Sequence, residues 1–269
     1  MDFELSANAH AWRRKLREFS AQYLLPHNAA WHAATANGLP PRFLPDLRLL
    51  AREEGLWNLC LTRLPEGAPG TPLSNLDYAP VAEAMGRLYW SSEVFNCQAP
   101  DSGNMDLLQR FATPTQRERW LNPLLDGRMR SAFAMSEPDV ASSDPTGLQT
   151  SVRREGGDLV LNGRKWFITG AAHPDCRLLV VVCRDEDAEG TRPHGGHSLV
   201  LVPMETPGVQ VVRNIPVMQH VSVEGHCEIV LRNVRVPQDQ LLGEWGQGFA
   251  MAQMRLGPGR VHHCMRAIG

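Results

Sequence analysis

Asp158-Leu159-Val160-Leu161-Asn162-Gly163-Arg164-Lys165-Trp166-Phe167-Ile168 decides how this chain is divided. Apolar and aromatic runs flank Asn162-Gly163, and Asn-Gly between two such runs predicts a β-hairpin that turns at the dipeptide. Residues 178–183, 198–204, 209–213 and 228–236 add further strands, separated by turns rich in Gly, Pro and Asp. Strand follows strand with no helical pattern between. That order predicts an antiparallel barrel or sandwich, not a Rossmann unit.

Upstream of residue 130 the period is helical. Ala9, Trp12, Leu16 and Phe19 recur at three- and four-residue spacing, as one buried stripe does. Residues 28–41, with Gly38, Pro40 and Pro41, read as a break; residues 43–54 resume the helix, and 65–72 form a loop. Residues 75–88 predict another helix. Thr113-Pro114-Thr115-Gln116 predicts a helix start, with Thr113 as N-cap, Pro114 at the first position and Gln116 closing a capping box. Helical character returns after Pro237, where Gly248-Phe249 leads into Met251, Met254 and Leu256. No turn signal precedes Gly269, so a further helical domain is expected beyond it. The fold class expected is α+β and multidomain: an N-terminal helical domain over 1–130, a middle antiparallel β-barrel-like domain over 131–240, and the start of a C-terminal helical bundle over 241–269.

The chain's 269 residues, 43% of them hydrophobic and 21% charged, suffice for one large domain or two ordinary ones. Net charge is −2, which gives nucleic acid or an anionic membrane no global field to follow. No apolar run approaches the ~18–20 residues of a membrane span. Met1-Asp2-Phe3-Glu4 is acidic and carries no targeting pattern, so a cytoplasmic location is expected. Cys60, Cys97, Cys176, Cys183, Cys227 and Cys264 lack zinc spacing and read as buried thiols in a reducing compartment, and no metal is expected. Only Lys15 and Lys165 are lysines; the other basic residues are arginines.

The common catalytic signatures are absent: G-x-S-x-G, the P-loop, H-E-x-x-H and a strand-to-helix G-x-G-x-x-G. His262 and His263 are adjacent, point ~100° apart on a helix, and suit structural or capping roles better than shared chelation. Gly243-Glu244-Trp245-Gly246-Gln247-Gly248 lies outside any βαβ unit and reads as a flexible connection. Two stretches carry more. Phe133-Ala134-Met135-Ser136-Glu137-Pro138-Asp139-Val140-Ala141-Ser142-Ser143-Asp144 joins small residues, hydroxyls and turn formers at the helix-to-strand boundary. It reads either as an ordinary Ser/Asp turn or as a ligand loop. Trp166-Phe167-Ile168-Thr169 reads either as core packing or as a ligand face. As ligand loops, residues 133–144 and 166–169 are expected to meet in one cleft between the helical and β domains.

Together with Gly246-Gln247-Gly248-Phe249 and Leu256-Gly257-Pro258-Gly259-Arg260, these stretches resemble the acyl-CoA dehydrogenase family over nearly the whole chain. The look is closest to the branch that includes family member eleven. The loop after Pro138 is one residue longer than the common pattern; matching on the Ser-Asp pair makes Ser143 the family serine, with Ser142 the fallback. The resemblance implies an FAD enzyme that converts a fatty acyl-CoA thioester to the trans-2-enoyl-CoA. It implies that Phe133, Met135, Ser136 and Ser143 line FAD and the thioester end. Phe167, Ile168 and Thr169 then cover the isoalloxazine, with the Thr169 hydroxyl near N5, and Trp166 joins the cofactor-binding set. Ser143, Gly257, Pro258, Gly259 and Arg260 match acyl-CoA contacts, while Arg260 alone reads equally as a surface residue in a salt bridge. Implied partners are acyl-CoA, an electron-transfer flavoprotein as acceptor, and further copies in a homodimer or homotetramer when complete. The family's catalytic Glu is expected beyond Gly269, and neither Glu228 nor Glu244 is taken as that base. Two other expectations stand beside this one: a related flavin monooxygenase or nitroalkane oxidase, and a truncated non-catalytic binding paralogue.

Overall fold

A computed structural model of the chain describes residues 4–36, 38–186, 196–219 and 221–269; the first three residues of the acidic start lie outside them. The chain divides into two compact units, Met1–Ser102 with Gly257–Gly269, and Gly103–Leu256.

The first unit is helical: α1 (Ala7–Phe19), α2 (Asn28–Ala36), α3 (Leu44–Glu53), α4 (Asn75–Gly86) and α5 (Ser91–Val94). Ser6 Oγ accepts the Ala9 N–H at 2.9 Å and starts α1, which buries Ala9, Leu16 and Phe19 and packs on α4. The expected break at residues 28–41 is wrong in its first half, because α2 is a helix. A π-turn (Ser20–Leu24) and a 3₁₀ turn (Leu25–His27) carry the chain into it without leaving helical geometry. Alanines make up much of α2, so propensity holds it and no wide apolar stripe announces it. Its anchor is tertiary. Trp31 stacks on Trp90 with centroids 4.6 Å apart, and Trp90 Nε1 donates to Asn28 Oδ1 at 2.9 Å.

The second unit opens with most of α6 (Asp101–Phe111), then α7 (Pro114–Gln116) and α8 (Asn122–Leu125), the last two joined by a π-turn. The capping box forms as expected. Thr113 Oγ1 accepts from the Gln116 N–H at 3.2 Å, and Gln116 Oε1 accepts from the Thr113 N–H at 3.0 Å. Then come β1 (Arg130–Ala134), β2 (Ser151–Glu155), β3 (Asp158–Thr169), β4 (Cys176–Asp185), β5 (His197–Pro203), β6 (Val209–Asn214), β7 (His226–Pro237) and β8 (Leu241–Leu242). α9 (Gly248–Ile268) contributes residues to both units.

The strands form one open sheet in the order β6-β7-β3-β2-β4-β5-β8, with β1 also beside β4. The sheet is mixed, not wholly antiparallel as expected. β1 and β2 both run parallel to β4, and the chain between them and β4 contains strands where a βαβ unit would have a helix. Val152, Leu161, Ile168, Leu179, Val181, Val200, Ile229 and Val234 share its core. Five cysteines are buried free thiols; Cys264 is exposed, against expectation. His262 sits edge-on to Tyr78 while His263 Nδ1 meets Arg266, so the adjacent histidines serve separate contacts.

The Asn-Gly turn is also corrected. β3 runs unbroken through Asn162-Gly163, and the hairpin with β2 turns at Gly156-Gly157, where Gly156 has φ +63°. Asn162-Gly163 is instead a bulge: register against β7 slips between Leu161 and Gly163, and Asn162 Oδ1 accepts the Asn233 N–H at 2.8 Å. Glycine is needed because a Cβ there would lie 2.6 Å from Thr150 Cα. Gly163→Ala is therefore expected to cost about 1–3 kcal/mol in urea melts. Gly157→Ala meets nothing within 4 Å and should stay within ~0.5 kcal/mol. Equal melts for the two variants would refute the close-approach account.

Candidate functional site

β1 and β2 occupy the same edge of β4 with a gap between them. Ala134 pairs opposite Val181 and Ser151 opposite Arg184, so residues 135–150 leave the sheet at this point as a loop. Lys165, fully buried on β3, fills the gap. Its Nζ donates to Met135 O at 2.9 Å, to Glu137 Oε1 at 2.8 Å and to Val182 O at 2.8 Å. An ammonium has three N–H donors, and all three have acceptors. Glu137 ties the loop's start to its return, accepting the Gln149 N–H at 2.7 Å and the Thr150 N–H at 2.9 Å. Burial pushes the Glu137 carboxyl up; the Lys165 charge, its hydrogen bond and the Gln149 N–H outweigh burial and hold it below the ordinary carboxylate range.

A second bulge lies beside this pair. Register between β3 and β7 slips between Lys165 and Ile168, and Phe167 takes φ +51° while 45% exposed. A bulky residue at positive φ is rare and costs ~1–3 kcal/mol, and such strain clusters at ligand sites. The bulge turns the Trp166 N–H away from the ladder, and it donates to Ser136 O at 3.0 Å. The two candidate stretches are thus joined backbone to backbone. Trp166 and Phe167 form an aromatic pair with centroids 4.8 Å apart.

Of the residues singled out in the sequence, Phe133, Met135, Ser136, Trp166 and Thr169 are half-buried here, Phe167 is exposed and Ile168 is core. Ser142 belongs to the loop's own framework: its Oγ accepts the Glu137 N–H at 2.8 Å and donates to Glu137 O at 3.1 Å. Ser143 is exposed beside it. Gly257, Pro258, Gly259 and Arg260 lie on α9 in the helical unit, with Arg260 exposed. Thr169 Oγ1 and His226 Nδ1 are hydrogen-bonded at 3.0 Å.

Sequence reading missed Lys165, Glu137, Arg255 and Asn104. Arg255 lies over the Phe133 ring, 4.0 Å from its centroid, and its Nε donates to Asn104 Oδ1 at 2.8 Å; Asn104 Nδ2 donates to Ser131 Oγ at 2.9 Å. The pair did leave a signal. A lysine inside a strand, in a chain whose other lysine is Lys15 alone, calls for a buried carboxylate, and Glu137 lies in the 133–144 stretch. Glu228 is nearly buried and clamped by Arg213 at 2.7 Å and Arg164 at 2.6 Å. Hydrogen bonds from Arg213 and then Arg164 hold it below the ordinary range, so it is a poor proton acceptor.

Lys165→Met or Glu137→Gln strands a buried charge, and each is expected to cost ~3–5 kcal/mol in chemical denaturation at neutral pH. The double variant should lose less than the sum of the two. Because folding lowers the Glu137 pKa, its contribution is present above the ordinary carboxylate value and is lost as pH falls through the folded value. The wild-type advantage over Glu137→Gln should therefore shrink in acid. Single-variant losses near 1 kcal/mol would show that the pair does not hold the loop.

Comparison with known proteins agrees with this architecture. Residues 6–128 match the family Acyl-CoA dehydrogenase, N-terminal domain, and residues 132–234 match Acyl-CoA dehydrogenase, middle domain. The chain is 47% identical over 279 residues to FadE2 of Mycobacterium tuberculosis, named a probable acyl-CoA dehydrogenase, covering 100% of this chain and 66% of that protein. It is 43% identical to acyl-CoA dehydrogenase family member 11 of Gallus gallus, covering 95% of this chain and 33% of the relative. A solved structure from Mycobacterium abscessus, assigned to the acyl-CoA dehydrogenases, superposes with a TM-score of 0.92 at 43% identity over 98% of this chain and 67% of that one. With both domain matches spanning most of its length, the chain belongs to the acyl-CoA dehydrogenase family.

Proposed function

We propose that this chain supplies the flavin- and thioester-contacting surfaces of an FAD-dependent acyl-CoA dehydrogenase, which converts a fatty acyl-CoA to the trans-2-enoyl-CoA. One observation carries the reading: the strained bulge at Trp166-Phe167 is docked on Ser136 by a backbone hydrogen bond. It gathers two aromatic faces, two hydroxyls and the half-buried side chains of Phe133 on β1 and Met135 just past its end around one segment. A flavin ring is flat and apolar on its faces and polar at its edge, and this donor set fits both. When bound, FAD accepts the hydride; the protein's part is to hold and tune it.

Ser136 and neighbouring backbone N–H groups suit the flavin's pyrimidine edge, and Phe167 and Thr169 suit its ring. Phe133 on β1 and Met135 just beyond it are half-buried and suit the ligand side, whereas Ile168, which the resemblance also sets over the ring, is core. Exposed Ser143 takes the thioester role and Ser142 holds the loop. Gly257, Pro258, Gly259 and Arg260 take the acyl-CoA role, in which the Arg260 guanidinium suits the anionic carrier. The proposal extends to an N-terminal domain over 1–130, a β domain over 131–240 and a helical segment over 241–269. It also extends to an electron-transfer flavoprotein as acceptor and to homo-oligomers. No helix among the described residues is long and apolar enough to cross a membrane.

The purified chain should carry, or take up, FAD with its visible absorbance, and long-chain acyl-CoA should perturb that spectrum. Absence of FAD uptake would overturn the reading. Phe167→Gly separates ligand from scaffold. Glycine relieves the positive φ, so stability should change by no more than ~1 kcal/mol. FAD affinity should fall about 2- to 13-fold, the worth of one aromatic contact at ~0.5–1.5 kcal/mol. Unchanged affinity would return Phe167 to a structural role.

A further inference from the structure

Thr169 and His226 are direct cross-strand partners on β3 and β7, joined by the 3.0 Å contact between Thr169 Oγ1 and His226 Nδ1. The histidine is fixed from both sides of its backbone. Its N–H donates to Asn214 Oδ1 at 2.8 Å, and its carbonyl accepts the Ile215 N–H at 3.0 Å. Asn214 is itself tied down, its Nδ2 donating to Ser222 O at 2.9 Å. Next to it, the Gly170 N–H donates to Gly225 O at 3.1 Å and keeps the two strands together beyond the pair. Of the two glutamates flanking it in sequence, Glu228 has both oxygens engaged by Arg164 and Arg213, and the Glu224 carbonyl accepts the Ala172 N–H at 3.1 Å. The imidazole is therefore set against Thr169 by framework that neither side chain controls.

A threonine hydroxyl has one proton to donate and lone pairs to accept with. An imidazole Nδ1 either carries a proton or offers a lone pair, according to tautomer and charge. With Nδ1 bare, the Thr169 proton points to His226 and only a hydroxyl lone pair is left for a ligand. With Nδ1 protonated, His226 donates to Thr169 and the hydroxyl proton is released toward the ligand. We propose that His226 is a positioning residue which, through Thr169, sets whether the flavin edge meets a hydroxyl proton or a hydroxyl lone pair. This deepens, and rests on, the reading of Thr169 as a flavin neighbour. Oxidised flavin presents a lone pair at N5 and reduced flavin an N–H, so each redox state matches a different form of the Thr169–His226 pair. A valine at 169 or a phenylalanine at 226 would abolish the choice while keeping the shape of the strand pair.

The test uses the chain labelled with ¹⁵N at histidine, whose Nδ1 and Nε2 shifts report the tautomer. Without FAD, Thr169→Val should move the His226 Nδ1 resonance, because the bond is lost. Adding FAD, with uptake followed by its absorbance, should move the same resonance in wild type and leave it unmoved in Thr169→Val. The bound flavin's midpoint potential should shift in His226→Phe and return toward wild type in His226→Asn, which keeps a polar atom at the place of Nδ1. Bound FAD with an unmoved His226 resonance, or an unshifted potential in His226→Phe, would overturn the proposal and leave the flavin reading intact. Failure of the wild-type chain to take up FAD would overturn both. If His226→Phe does not fold, the Thr169→Val spectra and the His226→Asn potential decide.

Discussion

A single ammonium group, Lys165 Nζ, joins three parts of the β-rich unit, donating from β3 to Met135 O and Glu137 Oε1 at the start of the 135–150 loop and to Val182 O on β4. Without it β4 would have an unfilled stretch of edge between β1 and β2, and Val182 O would be a buried acceptor lacking this partner. Lysine meets the need where arginine would not. Its compact head radiates three donors toward three acceptors, whereas guanidinium presents a planar fork suited to bidentate pairing. That geometry accounts for a lysine at this place in a chain whose basic residues are nearly all arginine. Burying the ion is costly in isolation, and the carboxylate beside it, itself fixed by two backbone N–H groups, makes the arrangement tolerable.

From that anchor the rest of the site follows in order. Lys165 immediately precedes the bulge, so fixing its head fixes where the slip in register begins. Phe167 can then be held at an unfavourable φ, because the residues on either side are tied, Trp166 to Ser136 and Ile168 in the core. Strain persists where the surroundings over-determine it. The exposed ring that results is carried on a strand and not on a loose loop, which gives it a defined place relative to Ser136 and Thr169.

Much of this was legible in the sequence. The change of period near residue 130, the strands, and the Thr113–Gln116 capping box depend on local patterning, and local patterning is what a sequence displays. Three things were not legible, each for a different reason. Asn162-Gly163 has turn chemistry, yet its glycine answers to Thr150 from another segment, a contact with no local trace. α2 is held by one tryptophan stack and by alanine propensity, so its periodicity is faint. The parallel placement of β1 and β2 against β4 depends on a polar plug contributed by β3. The candidate residues themselves were recognisable as motifs; of the groups that hold them, Lys165 and Glu137 left only the trace of a lysine inside a strand, and Asn104 and Arg255 were visible only as contacts.

The same distinction bears on where proton chemistry is possible. Removing a weakly acidic proton next to a thioester needs a carboxylate that is ionised yet underpaired, so that its affinity for a proton stays high. Glu137 and Glu228 are the opposite: each is ionised because basic groups saturate it, and saturation lowers its proton affinity. Charge at the centre of the β-rich unit therefore works as scaffold. What surrounds the Trp166-Phe167 bulge beside these ions is neutral and directional, namely aromatic faces, hydroxyls and backbone groups. Neither of these two carboxylates, each held ionised by the cations around it, is suited to be the base of such a reaction.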